Sequence, residues 1–436
     1  MLQTRYAKML LLSTLIAMQG SALTLQEAEN KALSNALELK KIEYSIEQAH
    51  YKKEQTNSLK YGTFDLVGSY THYNLARTLT PLTPTSITPN TPSTEDMLSL
   101  GLSYSVNLFT GFAQTRDVEI ASLQEDMAQS YKTLGKNKIV YNVKTLYISI
   151  LLQKAQKKAQ LKYLESLESL HNDVELRVKL GSSAKIEELK SLADLKRTQS
   201  RITSIETNIK ILKENLATLM MVDSLDEIED IEIAVDESSV AQISEYLDAL
   251  KNSTKLQVSK TALKQKEKMV QKSDALYYPK LAFNAYYGVN AGVNDKNNPN
   301  SGDFESDDLW QVGLNLKWNI FDFGSKNATS QIAQIALSDA KLQQRGIERE
   351  LKRDLIEAMS RIKESIENYT SAKSELSLME QTQKIEKIRY DNGASDINDL
   401  LTTQARYQMA LSSFIATKYR YKNAIYYLEY VVEKEK

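Results

Sequence analysis

The chain has no cysteine, three histidines, 14 glycines and six prolines in 436 residues, and almost no charge excess. The missing cysteine removes disulfides, thiolate metal sites and any cysteine-linked lipid. It is compatible with an oxidising compartment without demonstrating one. His50, His72 and His171 lie far apart in sequence. Zinc binding and histidine-centred catalysis therefore have little to work with, and solvated polar side chains are the plainer reading. With 55 basic and 56 acidic residues the formal charge is −1, against the basic patch or stripe of a general nucleic-acid binder. No metal site and no cofactor is expected.

Long hydrophobic runs are also missing. Arg5 and Lys8, the short apolar run Met9 to Met18 and the small residues Gly20-Ser21-Ala22 fit a signal peptide over residues 1–22, cleaved before Leu23. An ordinary buried N-terminal helix is the alternative. No later stretch reaches 18 apolar residues, so any membrane crossing falls to strands.

What is present is alternation feeding length. Trp310, Val312, Leu314, Leu316, Trp318 and Ile320 alternate with polar residues and glycine, a strand with one apolar face. It ends in Phe321-Asp322-Phe323-Gly324, and Ser325 to Asp391 then has no proline and one glycine. A helix that long would reach roughly 100 Å. The first half repeats this: Leu98 to Leu108 alternates, runs through Phe109-Thr110-Gly111-Phe112, and opens a helix from Ala113 to Leu180. Phe109 and Phe321 stand 212 residues apart, as do Gly181 and Gly393, the glycines closing the two helices. Such constancy is an internal duplication.

In order, Thr24 to Leu59 reads as a helix with a Thr24/Glu27 capping box and a stripe of Ala28, Ala32, Ala36 and Leu39. Four strands are expected at about 63–73, 97–108, 280–288 and 309–320. Loops at 74–96 and 288–308 join each pair, the first holding four prolines. Leu161, Leu164, Leu167, Leu170 and Val174 mark a packing seam on the first long helix; Leu355, Met359, Ile362, Ile366 and Tyr369 mark one on the second. Each long helix returns as an antiparallel hairpin, to Val222 and to Glu433. The domains are residues 23–222 and 240–433, two structural repeats, with an acidic connector at 223–239 carrying a short strand at Ile231 to Val235. Val240 to Leu276 reads as one helix.

Strands of about ten residues suit a tilted crossing of a bilayer. Four such strands form an open sheet whose edges lipid does not tolerate, and a barrel needs about eight or more. The fold class expected is a membrane β-barrel plus a long α-helical coiled-coil tunnel. A dimer would give eight strands and a narrow interior; a trimer gives a twelve-stranded barrel with room for a water-filled lumen, extended by a cylinder of twelve long helices. Tyr61, Tyr70, Tyr287, Trp310 and Trp318 suit membrane interfaces, although cross-strand packing in a soluble sheet would use them too.

At this point the chain resembles the outer membrane efflux protein family, the TolC-like channels of Gram-negative bacteria, from Leu23 to about Glu433. Ile320-Phe321-Asp322-Phe323-Gly324 is similar to the family's strand-to-helix junction, and Tyr390-Asp391-Asn392-Gly393 to its turn before the last helix. Thr110 stands where the usual form has the aspartate. The resemblance implies a homotrimer in the outer membrane, without catalytic chemistry, joined by a periplasmic adaptor to an inner-membrane transporter in efflux or type I secretion. It makes Leu180, Gly181, Ser182, Ser183, Asn392, Gly393, Ala394 and Ser395 adaptor-docking tips, though the glycines also serve as helix C-caps. It makes Asp399, six residues past Gly393, a lining residue of the narrow entrance. Glu187 has the same offset from Gly181. The second acidic position of the family is Thr402 here, and Asp396 is the candidate replacement. Both aspartates also suit a helix start. A porin or adhesin with coiled-coil stalks is the runner-up. An enzyme using the Asp396 and Asp399 carboxylates is the weakest reading, for no nucleophile accompanies them.

Overall fold

The computed structural model describes residues 22–81, 91–225, 227–236, 243–294 and 301–434. The expected leader therefore lies outside the described residues but for Ala22, as do 82–90 and 295–300 of the two loops. The chain divides into two compact units: residues 40–134 with 250–351, and the remainder.

The first unit holds the sheet. Strands β1 (Thr63–Thr78), β2 (Ser93–Phe109), β3 (Lys280–Val293) and β4 (Phe304–Lys317) pair antiparallel in the order β1-β2-β3-β4. Leu102 lies opposite both Leu66 and Tyr287, and Phe283 opposite both Val106 and Leu314. The alternation of every strand thus falls into one apolar face, because a single-residue slip would turn the apolar set over. Phe64, Leu66, Trp310, Val312 and Leu314 on this face are exposed. On the other face Tyr286 fills the space a side chain would occupy at Gly101 and Gly288.

The strands depart from expectation at both ends. β1 and β2 run on into the expected loop, resuming at Arg77↔Thr94 after a register shift. Polar bonds hold this end rather than apolar alternation: Ser93 N–H donates to Asn294 Oδ1 at 3.0 Å, and Asn290 Nδ2 to the Leu79 carbonyl at 2.5 Å. β4 stops at Lys317, three residues short of Ile320, because its partner begins at Lys280 just after Pro279. Trp318 instead donates its indole N–H to the Tyr277 carbonyl at 3.1 Å.

Helices α2 (Leu37–Ser58) and α6 (Thr254–Asp274) lead toward β1 and β3, and α3 (Ala113–Lys179) and α7 (Ser325–Asp391) leave β2 and β4. Both α3 and α7 have 67 residues.

The second unit is helical. α1 (Leu25–Asn35) begins with the capping box: Thr24 Oγ1 accepts from the Glu27 amide and Glu27 Oε2 from the Thr24 amide. Ala28, Ala32, Ala36 and Leu39 are buried as expected. The single expected helix nevertheless breaks at Ala36, next to Asn35, whose side-chain amide donates to the Met220 carbonyl. Met221 there is left-handed and ends α4 (Lys185–Met220). The expected helix Val240 to Leu276 is likewise divided into α5 (Ile243–Lys251) and α6, since Ser253 caps α6 by accepting the Leu256 amide. α8 (Ile397–Val431) completes the second hairpin.

The two seams are largely as expected. Leu167 and Val174 are fully buried with Tyr390, Ile397, Leu400 and Leu401, and Leu355 and Ile362 are buried on α7. Leu161 is the exception and is exposed, while Tyr163 packs on that core. The connector holds no ladder at Ile231 to Val235 among the described residues; the alternation there lacks a partner strand. Leu23 and Ile228 form a parallel bridge instead. Tyr147, buried below both, directs its hydroxyl at the carbonyls of Leu23 and Glu229, each 2.8 Å away. Burial, and then Glu229, push this phenol up to about 12.

Candidate functional site

In the sheet unit the candidates are the two strand-to-helix junctions. The chain must turn from a strand into a helix axis, and each junction does so with two consecutive left-handed residues: Gly111 and Phe112 in the first, Phe323 and Gly324 in the second. The glycine is first in one pair and second in the other. Asp322 Oδ2 accepts the Lys326 amide at 3.0 Å, satisfying a free N–H of the first turn of α7. Thr110 Oγ1 accepts the Gln114 amide at 3.3 Å in the same way. Thr110 is therefore a cap in its own right, despite its departure from the aspartate. The glycines differ. A Cβ at Gly111 would lie 2.7 Å from the Ala275 carbonyl oxygen, whereas at Gly324 it meets nothing within 4 Å. Phe321 and Phe323 are exposed and stack edge to face at 4.7 Å; Phe109 meets Phe112 at 5.4 Å.

In the helical unit the candidates are the hairpin tips, and their turns are identical. At the first, Gly181 N–H donates to the Val178 carbonyl and Ser182 N–H to that of Arg177. At the second, Gly393 N–H donates to Tyr390 and Ala394 N–H to Arg389. Both glycines have φ of 73°. This is the Schellman ending, which only glycine adopts without strain. Leu180, Ser182, Asn392 and Ala394 are exposed beside them.

The acidic candidates separate here. Asp396 is the N-cap of α8: its Oδ1 accepts the amides of Asn398 at 2.7 Å and Asp399 at 3.0 Å. Ala184, at the equivalent place before α4, offers no such bond. Glu187 is half-buried and accepts the Ser183 hydroxyl at 2.5 Å. Asp399 is exposed in the first turn of α8. The sequence reading missed the residues around them. Arg177 lies over the Tyr390 ring at 5.5 Å. Burial first, and Glu187 next, raise the Tyr390 phenol above its ordinary range. Arg389 binds Glu386 at 3.0 Å, and the other oxygen of this buried carboxylate has no partner among the described residues. Only the apolar residue Val174 at the equivalent place in the first hairpin could have flagged Glu386.

The histidines are not simply solvated. His50 bonds Glu125 at 2.9 Å, His72 bonds Asp96 at 2.8 Å, and His171 bonds Ser191 at 2.8 Å. No group of residues that could hold a metal ion occurs among those described. No described helix is long and apolar enough to cross a membrane.

A profile of the outer membrane efflux protein family matches residues 29–220 and 246–429. Comparison with curated protein sequences finds no match. Among solved structures, the outer membrane protein VceC of Vibrio cholerae aligns with a TM-score of 0.78 at 15% identity, covering 94% of this chain and 95% of its own. The CmeC outer membrane channel of Campylobacter jejuni aligns at 0.75 and 17% identity, covering 94% and 87%. The MtrE outer membrane channel of Neisseria gonorrhoeae aligns at 0.76 and 15% identity, covering 94% and 88%. With the family profile covering most of the chain, the chain belongs to the outer membrane efflux protein family: a transport channel rather than an enzyme, its strands in the outer membrane and its helices in the periplasm.

Proposed function

We propose that three copies assemble into the exit duct of a tripartite efflux or type I secretion system. In this duct the chain passively conducts substrates delivered by an inner-membrane transporter through a periplasmic adaptor. The observation that carries this reading is the sheet. β1 and β4 are edges, and the apolar face between them is exposed. In a bilayer each unpaired edge group costs several kcal/mol, so β4 of one copy must meet β1 of another. Two copies give eight strands, whose interior side chains fill; three give twelve and a wider lumen. Native mass spectrometry in detergent tests the assembly, and a stable monomer or dimer would overturn it.

The adaptor meets the hairpin tips in this reading. Their small, exposed residues let a partner backbone approach closely. Ser182→Trp and Ala394→Trp place bulk there without touching the left-handed glycines. The paired variant should form trimers, lose crosslinking to the adaptor and lose efflux. Normal adaptor crosslinking would reject the docking role. Three-fold symmetry also gathers three copies of Asp399 at the entrance, with Glu187 as the counterpart at the same offset from Gly181, as a cation-favouring aperture.

A further inference from the structure

In the helical unit α3 and α8 run antiparallel. Thr145 bonds Asn423 at 3.1 Å, and Gln160 bonds Gln408 at 2.9 Å. Between these two bonds the helices leave a gap. α3 presents Leu151, Ala155 and Ala159 to it, one turn apart, and α8 presents Leu411, Ile415 and Tyr419 at the same spacing. Alanine is too short to fill the space before the larger row, and a cavity of about 490 Å³ remains. Clefts of that size hold small molecules.

The connector closes the Leu151 end. Ile228 and Asp230 line the cavity there. Lys154 holds the connector by donating to the Ile228 carbonyl at 3.3 Å, and Tyr147 by donating to that of Glu229 at 2.8 Å. Asp230 makes this end negative. After burial, it is the group that raises the Tyr419 phenol above its ordinary range.

The other end is positive. Along α3, Lys144, Lys154 and Lys157 are each ion-paired, with Glu429, Glu227 and Glu206. Lys158 and Lys162 also line the cavity, yet neither has a hydrogen bond or ion pair among the described residues. They stand one turn apart on the row beside Ala155 and Ala159, close enough to hold one anionic group between them. The cavity thus has an apolar floor, unpaired positive charge at one end and a carboxylate at the other.

We infer that this cavity binds a small amphiphilic carboxylate, a fatty-acid-like anion. Its head lies on Lys158 and Lys162, and its chain runs past Ala155 and Ile415 toward Leu151 and Ile228. A neutral apolar ligand would leave both ammonium groups without an acceptor. A head placed at the connector end would meet Asp230. Charge-assisted hydrogen bonds hold the head and burial holds the chain, so the two contributions are separable. The site uses none of the residues of the junctions, tips or aperture, and does not rest on the trimer reading.

Photolabelling tests both the site and its direction. The full-length protein in non-ionic detergent is labelled with decanoate carrying a diazirine at its chain end, and in parallel with the matching alcohol. Mass spectrometry of peptides locates the label. The carboxylate should label the stretch around Leu151, Ile228 or Ile415, and plain decanoate should compete. Lys158→Gln with Lys162→Gln should reduce this labelling about tenfold. Lys158→Arg with Lys162→Arg should keep it, and so should Lys157→Gln, which removes a charge outside the cavity. Lys158 and Lys162 are exposed, so melting should change little in any of these variants. Labelling that survives the loss of both lysines, or that the alcohol matches, overturns the proposal. So does label placed at the Lys162 end, or none in the cavity of the unmodified protein.

Discussion

Thr110 and Asp322, 212 residues apart, each accept the amide of the residue four places on, at 3.3 and 3.0 Å. Two different side chains therefore fill one position of the duplicated plan, as either can cap a first turn. Asp322→Ala should cost about 1 kcal/mol, the usual worth of such a cap. Asp322→Thr should recover most of it. Thermal unfolding of the detergent-solubilised protein reads this; equal melting of the alanine and threonine variants would deny the cap.

The glycines beside these caps should respond unequally. Gly111→Ala combines left-handed backbone with a Cβ 2.7 Å from a carbonyl oxygen, and that oxygen belongs to backbone. Gly324→Ala meets only the backbone penalty, of about 1 kcal/mol, because the space around it is open. The first variant should lower the yield of folded protein markedly and the second only slightly. Comparable losses would show that the packing around Gly111 yields.

The long elements were legible because their signals are local. Breaker-free stretches gave α3 and α7, glycines gave the tips, and Thr24 with Glu27 gave the first cap. The failures share one cause: they depend on what lies across from a residue. Asn35 ends α1 by reaching Met220, far away in sequence. Leu161 keeps the leucine spacing yet is exposed, since spacing does not say what lies across from a residue. Ile231, Ile233 and Val235 alternate like a strand but have no ladder partner among the described residues. Asp396 and Asp399 were read as a pair, and only the geometry shows that the first is already occupied as a cap.

Tyr147 gives the helical unit an alkaline limit. Its folded value, about 12, lies above the ordinary 10.0. The neutral phenol is thus favoured by folding. That contribution is fully present below pH 10 and is lost as pH rises through about 12. Tyr147→Phe should flatten this dependence while lowering stability at neutral pH, because the carbonyls of Leu23 and Glu229 lose their donor. Melting curves from pH 8 to pH 12 compare the two proteins. A parallel decline in both would assign the alkaline loss to other tyrosines.

Asp396 and Asp399 should part company in a channel measurement. Asp396 spends one carboxylate oxygen on two amides at the start of α8. Asp396→Ala should therefore lower stability by about 1 kcal/mol, and Asp396→Asn or Asp396→Ser should restore it. Ion selectivity should change little in any of the three. Asp399 is exposed in the first turn of α8. In the proposed aperture three copies face one axis, where like charges gathered at close range attract cations. Asp399→Asn should then leave melting almost unchanged while reducing cation preference and block by divalent ions in planar bilayers. Selectivity lost with Asp396→Asn and kept with Asp399→Asn would exchange their roles. Selectivity unchanged in the double variant would place the aperture away from both.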